Sequence, residues 1–542
     1  MAIGSDDKPW DKRGEGHPGP FDTIVIGSGM GGLTTAAMLA KAGEKVLVLE
    51  QHYVPGGFTH VFNRPGYAWD VGVHAVGEVT DRSFLGRLLK HLTDGRLEWA
   101  SLGPVYDEFW WPDGVRVDFP DNPKQFRDNL VAAFPGEAKA IDAYLAQVRD
   151  VARAVGPWFL LKTLPTKVAR VAGRFVAKKA DAAFAERTLD VLNRLTSNEK
   201  LKAVLTSQWG YYGSIPSRSS FAIQALVTKH FQWGAWYPVG GSQEIARQLL
   251  KTVAAAGGWT RISTDVESIE IEDGKAVGVR LKKTGEVIRA AKVVSAAGVQ
   301  STVNRLLPVA HRSAHWAETV RALPAGPAHV CLYLGFKGDI RAAGASAANK
   351  WFYETWAMDE DAWRVQAGAD GDGQPEAPIL YCSFPSLKDP HHDAGPEQRH
   401  TGEVVTFVPW GEFEKWVGTR WKKRGDDYEA FKAALTERML KQFFRHMPGL
   451  EPLLDVAELS TPLSTDNFTR PVKGSIYGLE PTPERFANPY LTPRSPIPGL
   501  YLSGSEVGTV GVMGAMLGGA MAAIAAKPLP MMRMVAKVRQ RR

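Results

Sequence analysis

The residues most able to do chemistry lie near the start of the chain. Gly27-Ser28-Gly29-Met30-Gly31-Gly32 fits G-x-G-x-x-G, and Glu50 follows 18 residues after Gly32. Such a turn lets a pyrophosphate approach the backbone at Gly29, while a carboxylate at Glu50 accepts ribose hydroxyls. Three further residues have the chemistry of proton carriers and fall beside these stretches: His74, Glu78 and Tyr237. His391-His392-Asp393 are adjacent in a turn without further clustered ligands, so they read as a solvated loop and no metal site is expected.

These groups need elements to hold them. Thr23 to Ile26 is a β-branched run that suits a buried parallel strand. The spacing then predicts a helix over Gly31 to Lys41, whose N-terminal N–H groups and dipole face the phosphates. A second strand, Lys45 to Leu49, ends on the acid. Ser28 and Gly31 belong to the same phosphate turn. Further on, Thr264 to Gly298 reads as a β-meander with turns at Asp273-Gly274 and Thr284-Gly285. Its last strand, Lys292 to Ser295, runs into Ala296-Ala297-Gly298. Near the C-terminus, a strand from Leu500 to Ser503 stops at Gly504-Ser505-Glu506, and a helix begins at about Val510. Residues 367–376 read as a surface loop.

The chain has 542 residues, 44% of them apolar, and 17 tryptophans, which implies a large ordered core. Two cysteines, Cys331 and Cys382, give no disulfide framework and suit a reducing compartment. The net charge of +7 is concentrated. Val151 to Ala180 carries seven basic residues and no acid, and Lys527 to Arg542 carries six and no acid. Local patches on an otherwise slightly acidic chain argue against general nucleic-acid binding. Residues 1–20 are polar and read as a flexible terminus without a signal peptide. Val507 to Ala526 is 20 residues without a charge, but its five glycines favour a buried helix over a membrane span.

Gln51 to Gly57 extends the acid into E-x5-G-G, with Gly56 and Gly57 as the glycine pair. This extension resembles FAD-binding flavoproteins with two dinucleotide-binding domains. Over nearly its whole length the chain resembles the retinol saturase family, within the carotenoid isomerase and phytoene desaturase group. The resemblance rests on GSGMGGL, LAKAGEKVLVLEQH, LTDGRLEWASL, FPGEAKAIDAYL, WYPVGGSQEIA, FPSLKDP, KRGDDYEAFK and SPIPGLYLSGSEV. The sequence departs from that family at Phe58-Thr59, at Val239 and at Glu506.

The resemblance implies an α/β fold: a Rossmann-like FAD domain from 21–100, 235–308 and 470–526, interleaved with an α+β substrate domain from 101–234 and 309–469. It implies further FAD contacts at Val266, Ala297, Gly298, Gly504, Glu506, Val512 and Met513. The implied activity is saturation of a carbon–carbon double bond in an apolar polyene or isoprenoid lipid, by hydride from reduced flavin N5 plus a proton. Isomerisation or desaturation on the same scaffold is the alternative. Non-catalytic prenyl-lipid binding, as in GDP-dissociation inhibitors, is the reading from another class, but it would not need Glu50, Gly56-Gly57 and Gly504-Ser505-Glu506 together. Only one dinucleotide fingerprint is evident, so a separate electron donor is expected. The basic segment 151–180, with Trp158, Phe159, Leu160 and Leu161, and the basic tail 527–542 imply a cytoplasmic protein attached peripherally to membranes.

Overall fold

The computed structural model describes residues 8–14, 17, 19–165, 168–169, 171, 173, 177–359, 363–365 and 375–540. Thr23–Ile26 is a strand buried along its whole length. It pairs in parallel with Val46–Leu49 on one side and Lys292–Ser295 on the other. Leu500–Leu502 and Trp259–Arg261 complete a five-stranded parallel sheet with Thr23–Ile26 at its centre. The helix Met30–Lys41 starts at Gly29, directly after the central strand, and eleven of its residues are buried. The meander forms as predicted: Val266–Glu272, Lys275–Leu281 and Val287–Arg289 pair antiparallel. Asp273 and Gly274 both take positive φ, 48° and 74°, which matches the right-handed twist of a tight hairpin.

A second, seven-stranded sheet runs in the order Leu454–Ser460, Ala328–Lys337, Arg399–Val408, Ile379–Ser383, Asn349–Tyr353, Val105–Trp110, Arg116–Pro120. Its side chains alternate between two faces. Val330, Leu332 and Leu334 pack with Leu435, Met439 and Phe443 of the helix Asp426–His446. Cys331, Tyr333, Trp351, Tyr381 and Phe407 join the other core, shared with the helices Ala138–Leu161 and Phe221–His230. Segments of the two sheets alternate along the chain, so the parallel sheet is closed only when Leu500–Leu502 arrives.

Three expectations are corrected. The described part of residues 1–20 is not loose: Asp11 bridges to Arg261, and His17 stacks on Trp259 at 3.6 Å. Lys527 to Arg542 is not a tail. Pro528–Gln540 is a helix, held down by buried Met531, Val535 and Val538. Trp158 and Phe159 do not project outward from the basic segment, because distant aromatic partners reach them. The Trp158 ring lies 4.3 Å from that of Phe184, and its indole N–H donates to Asp181 at 2.6 Å. Among the described residues of that stretch, the exposed large apolar side chains are Leu164, Val168 and Val171. The uncharged run near the C-terminus is the helix Gly511–Ala526, largely buried. Among the described residues, no helix is long and apolar enough to cross a membrane, and no group of side chains could hold a metal ion. The loop expected at 367–376 falls, except for its last two residues, outside the described residues.

Gly32 shows how tightly the first helix meets its strand. A Cβ there would sit inside contact distance of the Gly27 carbonyl oxygen and 3.0 Å from the Ala296 Cβ. Gly32→Ala is therefore expected to destabilise the fold by about 1–3 kcal/mol through overpacking, read as a lowered midpoint in denaturant unfolding.

Candidate active site

The two glycine-rich ends of the chain meet over one cavity of about 1560 Å³. Met30–Lys41 begins at Gly29 and Gly511–Ala526 begins after Val510. Neither N-terminus has a side-chain cap or an acid in its first turn. Gly29, Gly31, Gly511 and Met513 line the cavity, so both helices offer their first N–H groups and positive ends to it. A Cβ on Gly29 would meet nothing within 4 Å, and the same holds at Gly504. Both positions leave open space beside the backbone, enough for a bound group to approach it closely.

Glu50 is buried beside this space. Its Oε2 accepts from the Ser28 N–H at 2.9 Å and the Ser28 hydroxyl at 2.6 Å; Oε1 accepts from the His52 N–H at 2.7 Å. The Ser28 hydroxyl in turn accepts from the Gly56 N–H at 2.9 Å, tying the fingerprint to the second glycine pair. Gly27, Gly29, Gly31, Glu50, Gly56, Gly57, Val266, Ala297, Gly298, Gly504, Glu506, Val512 and Met513 all line the cavity. Ser28 and Gly32 support it from behind. Glu506 is fully enclosed and accepts from the Val299 N–H. Burial raises its carboxyl, and Arg485 beside it works in the opposite direction. This donor set, two helix N-termini with a buried carboxylate beside them, fits an FAD.

Beyond the nucleotide end, the wall is aromatic and aliphatic. Tyr211, Phe231, Trp351, Tyr381, Phe407 and Tyr477 line it, as do Val155, Phe159 and Leu160 of the helix Ala138–Leu161. Phe159 and Leu160 thus face this chamber, whereas Trp158 packs behind them.

The three proton-carrier candidates occupy different situations. His74 lines the cavity, with Nδ1 2.5 Å from Oε2 of Glu403. Burial, and then the charge of Lys388, push its imidazole down to about 3. Glu78 lines the cavity too. Burial works to raise its carboxyl, but His230 and Lys229 outweigh that and hold it below the usual value, so it is ionised at neutral pH. Tyr237 is buried outside the cavity wall and donates to Oδ2 of Asp70. The Ser242 N–H reaches Oδ1 of the same carboxylate at 3.0 Å. Burial lifts Asp70 to about 6.

Two residues that sequence reasoning did not single out complete this cluster. Lys388 Nζ donates to the His74 carbonyl at 2.7 Å, to Ser383 Oγ at 2.7 Å and to Asn349 Oδ1 at 2.5 Å. Glu403 is wholly buried in the strand Arg399–Val408. Both left a signal. Lys388 sits inside FPSLKDP, and Glu403 is a lone acid in the otherwise uncharged run 401–408. His391 and His392 lie in a loop, where His392 Nε2 meets the Arg399 carbonyl at 2.8 Å.

Comparison with known proteins places this geometry. Residues 30–526 match the family model described as flavin containing amine oxidoreductase. The all-trans-retinol 13,14-reductase of Danio rerio is 32% identical over 524 residues, covering 92% of this chain and 85% of the relative. The chloroplastic prolycopene isomerase of Daucus carota is 25% identical over 513 residues, covering 91% of this chain and 77% of the relative. An oxidoreductase from Methanosarcina mazei has the same fold: TM-score 0.61 at 17% identity, covering 92% of this chain and 98% of that one.

Gly29→Ala should separate cofactor binding from folding. Its φ of −65° suits any residue and its Cβ meets no protein atom, so the unliganded melting curve is expected to match wild type. FAD affinity, read by fluorescence quenching, should fall at least tenfold because the methyl occupies the diphosphate's space. Glu50→Ala should cost about 1.5–3 kcal/mol of FAD binding in the same titration, as expected for a lost charged acceptor.

Proposed function

The chain belongs to the flavin containing amine oxidoreductase family and, within it, to the all-trans-retinol 13,14-reductase family, and from that premise we propose that it saturates a carbon–carbon double bond in a long apolar polyene or isoprenoid lipid. It is an FAD-dependent oxidoreductase. One observation carries the substrate class: the dinucleotide cradle opens, within one cavity, into an aromatic chamber able to hold an extended apolar chain. When bound, reduced FAD supplies a hydride.

Everything else the reaction needs comes from the chain's own residues. Gly27, Gly29, Gly31, Gly56 and Gly57 let the backbone close on the diphosphate, and Glu50 holds the ribose. Aromatic walls exclude water, which would otherwise compete for charge developing on the polyene. His74 is the acid we assign to the second alkene carbon, since it is the one candidate of the three that both lines the cavity and has a proton to give at neutral pH. Tyr237 is engaged by Asp70, and Glu78 is ionised.

Two further parts of the reading concern partners. Electrons come from a separate donor, since a single dinucleotide fingerprint is evident in the sequence. The chain meets membrane surfaces peripherally, through Leu164, Val168 and Val171 among the cations of 151–180 and through Leu529 and Met532 on the basic helix Pro528–Gln540. Exposed apolar side chains beside basic ones suit the headgroup region of anionic bilayers.

Anaerobic incubation of the chemically reduced flavoprotein with retinoids and carotenoids, followed by mass analysis, tests the activity. A gain of two hydrogens is expected. Altered retention at unchanged mass would mean isomerisation instead, and loss of two hydrogens by the oxidised enzyme would mean desaturation. For the membrane, wild type is expected to float with anionic liposomes at low salt and a Leu164→Ser/Val168→Ser/Val171→Ser variant to float less. Equal flotation of the two would remove 151–180 from the contact.

A further inference from the structure

The cavity-facing side of the seven-stranded sheet is apolar along most of its area but carries one polar row. On Arg399–Val408 the residues Val405 and Phe407 line the cavity, and Glu403 lies two residues before Val405 on the same face. In register with it are Tyr333 on one neighbouring strand and Ser383 on the other. Farther along, Asn349 pairs with Asp107, and its amide donates to the Asp107 carboxylate at 2.9 Å. Lys388 reaches over the row to Ser383, Asn349 and the main chain of His74.

Glu403 stands out within this row. Its side chain is 0% exposed, and among the described residues no side-chain hydrogen bond occupies either oxygen apart from the 2.5 Å contact with His74 Nδ1. The main-chain N–H of Asp70 also leans on it. A buried ionised carboxylate with so few donors is costly, whereas the acid form needs one acceptor and has one at hand. The groups facing it are Lys388 from the loop after Ile379–Ser383, Asp70 from Tyr67–Asp70, Cys331 and Tyr333 from Ala328–Lys337, Tyr381 from Ile379–Ser383, and Tyr237 from Trp236–Pro238. His329, which also lines the cavity, is a further titratable group near His74. Burial raises Glu403 well above the usual carboxyl range and lowers His74, so both shifts favour the uncharged forms that the 2.5 Å contact suits. A neutral imidazole that accepts at Nδ1 must carry its proton on Nε2.

We infer that Glu403 is a positioning residue for the saturation step: as a carboxylic acid donating to Nδ1, it fixes His74 as the tautomer that presents Nε2–H to the cavity, and it holds the proton that replaces the one delivered. This rests on the saturase reading of the site. In the step, the Nε2–H bond breaks and a C–H bond forms at the alkene carbon that the hydride has left electron-rich. Nδ1 takes the hydroxyl proton of Glu403. The imidazole ends neutral in its other tautomer, and Glu403 ends as a carboxylate facing Lys388. The electron pair arrives with the hydride from the reduced flavin, which is oxidised as the double bond is reduced.

Infrared spectra of the FAD-loaded enzyme test this without turnover. Wild type should show the carbonyl band of a protonated carboxylic acid at neutral pH, shifting in heavy water and missing in Glu403→Gln. His74→Phe removes the acceptor, so the same band should move to higher frequency, which keeps the test available if the glutamine variant folds poorly. In turnover, Glu403→Gln can still donate to Nδ1 but cannot release a proton, so kcat should fall on the order of 10–100-fold at unchanged KM and FAD content. A wild-type spectrum without a band assignable to Glu403, or full turnover by Glu403→Gln, would overturn the assignment. An enzyme inactive on every polyene offered would sink the saturase reading instead and leave the dyad to be decided by its band.

Discussion

The structure depends on the close approach of two glycine-rich segments from opposite ends of the chain. Gly31, at the start of the first helix, lies so near Gly504 that a Cβ would overlap its backbone, and a Cβ on Gly519 would overlap the Gly31 carbonyl oxygen. Thr35 fastens the contact, with its hydroxyl donating to the Gly519 carbonyl at 2.9 Å and meeting Ser503 Oγ at 3.0 Å. Because no side chains intervene, the two helices cross with both N-termini on the same cavity. That convergence is what makes an anion site of ordinary helix ends. Any residue larger than glycine at these contacts would push the helices apart and separate the two halves of the cradle.

The second constraint is electrostatic. The chamber beyond the cradle is aromatic, yet His74 on its wall is backed by the buried groups Glu403, Lys388, Asp70 and Asp107. Burying that many ionised groups would be prohibitive, and the fold answers in two ways. Asp70 and Asp107 are given hydrogen-bond donors: Tyr237 and Ser242 for the first, Tyr211, Asn349 and Gln208 for the second. For His74 and Glu403, burial favours the neutral forms instead. Burial lowers Lys388 to about 7, and Asp107 and Asp70 work to keep its proton. A site that stores a proton on a neutral pair in a low-dielectric wall can release it when charge develops nearby, which is the demand a polyene reduction makes.

Local pattern and tertiary context divided the evidence between them. The strand Thr23–Ile26, the helix after it and the acid at Glu50 were legible because each depends on neighbours within one βαβ unit. Asp273-Gly274 was legible because both residues tolerate positive φ. The basic, aromatic stretch 151–180 was misread in part. Cations beside Trp158 and Phe159 look alike whether the aromatics meet lipid or core, and only Phe184 and Phe486, brought from elsewhere in the chain, decide for the core. The C-terminal cations were read as a tail because their count hides the spacing of Met531, Val535 and Val538, which docks a helix.

The sequence by itself determined the cofactor class and the family, since glycines, the acid at Glu50 and branch-specific motifs report through residue type and short spacing. It also determined that Val507 to Ala526 is a poor membrane span, because five glycines suit close packing better than lipid contact. Only the tertiary structure decided which polar groups gather around His74 at the cavity wall. His74, Lys388 and Glu403 lie on three separate segments. Their meeting depends on strand register, and a one-residue slip would have turned Glu403 to the opposite face of the sheet. Register is set by pairing with Tyr333 and Ser383 on other strands, so no local pattern could announce it.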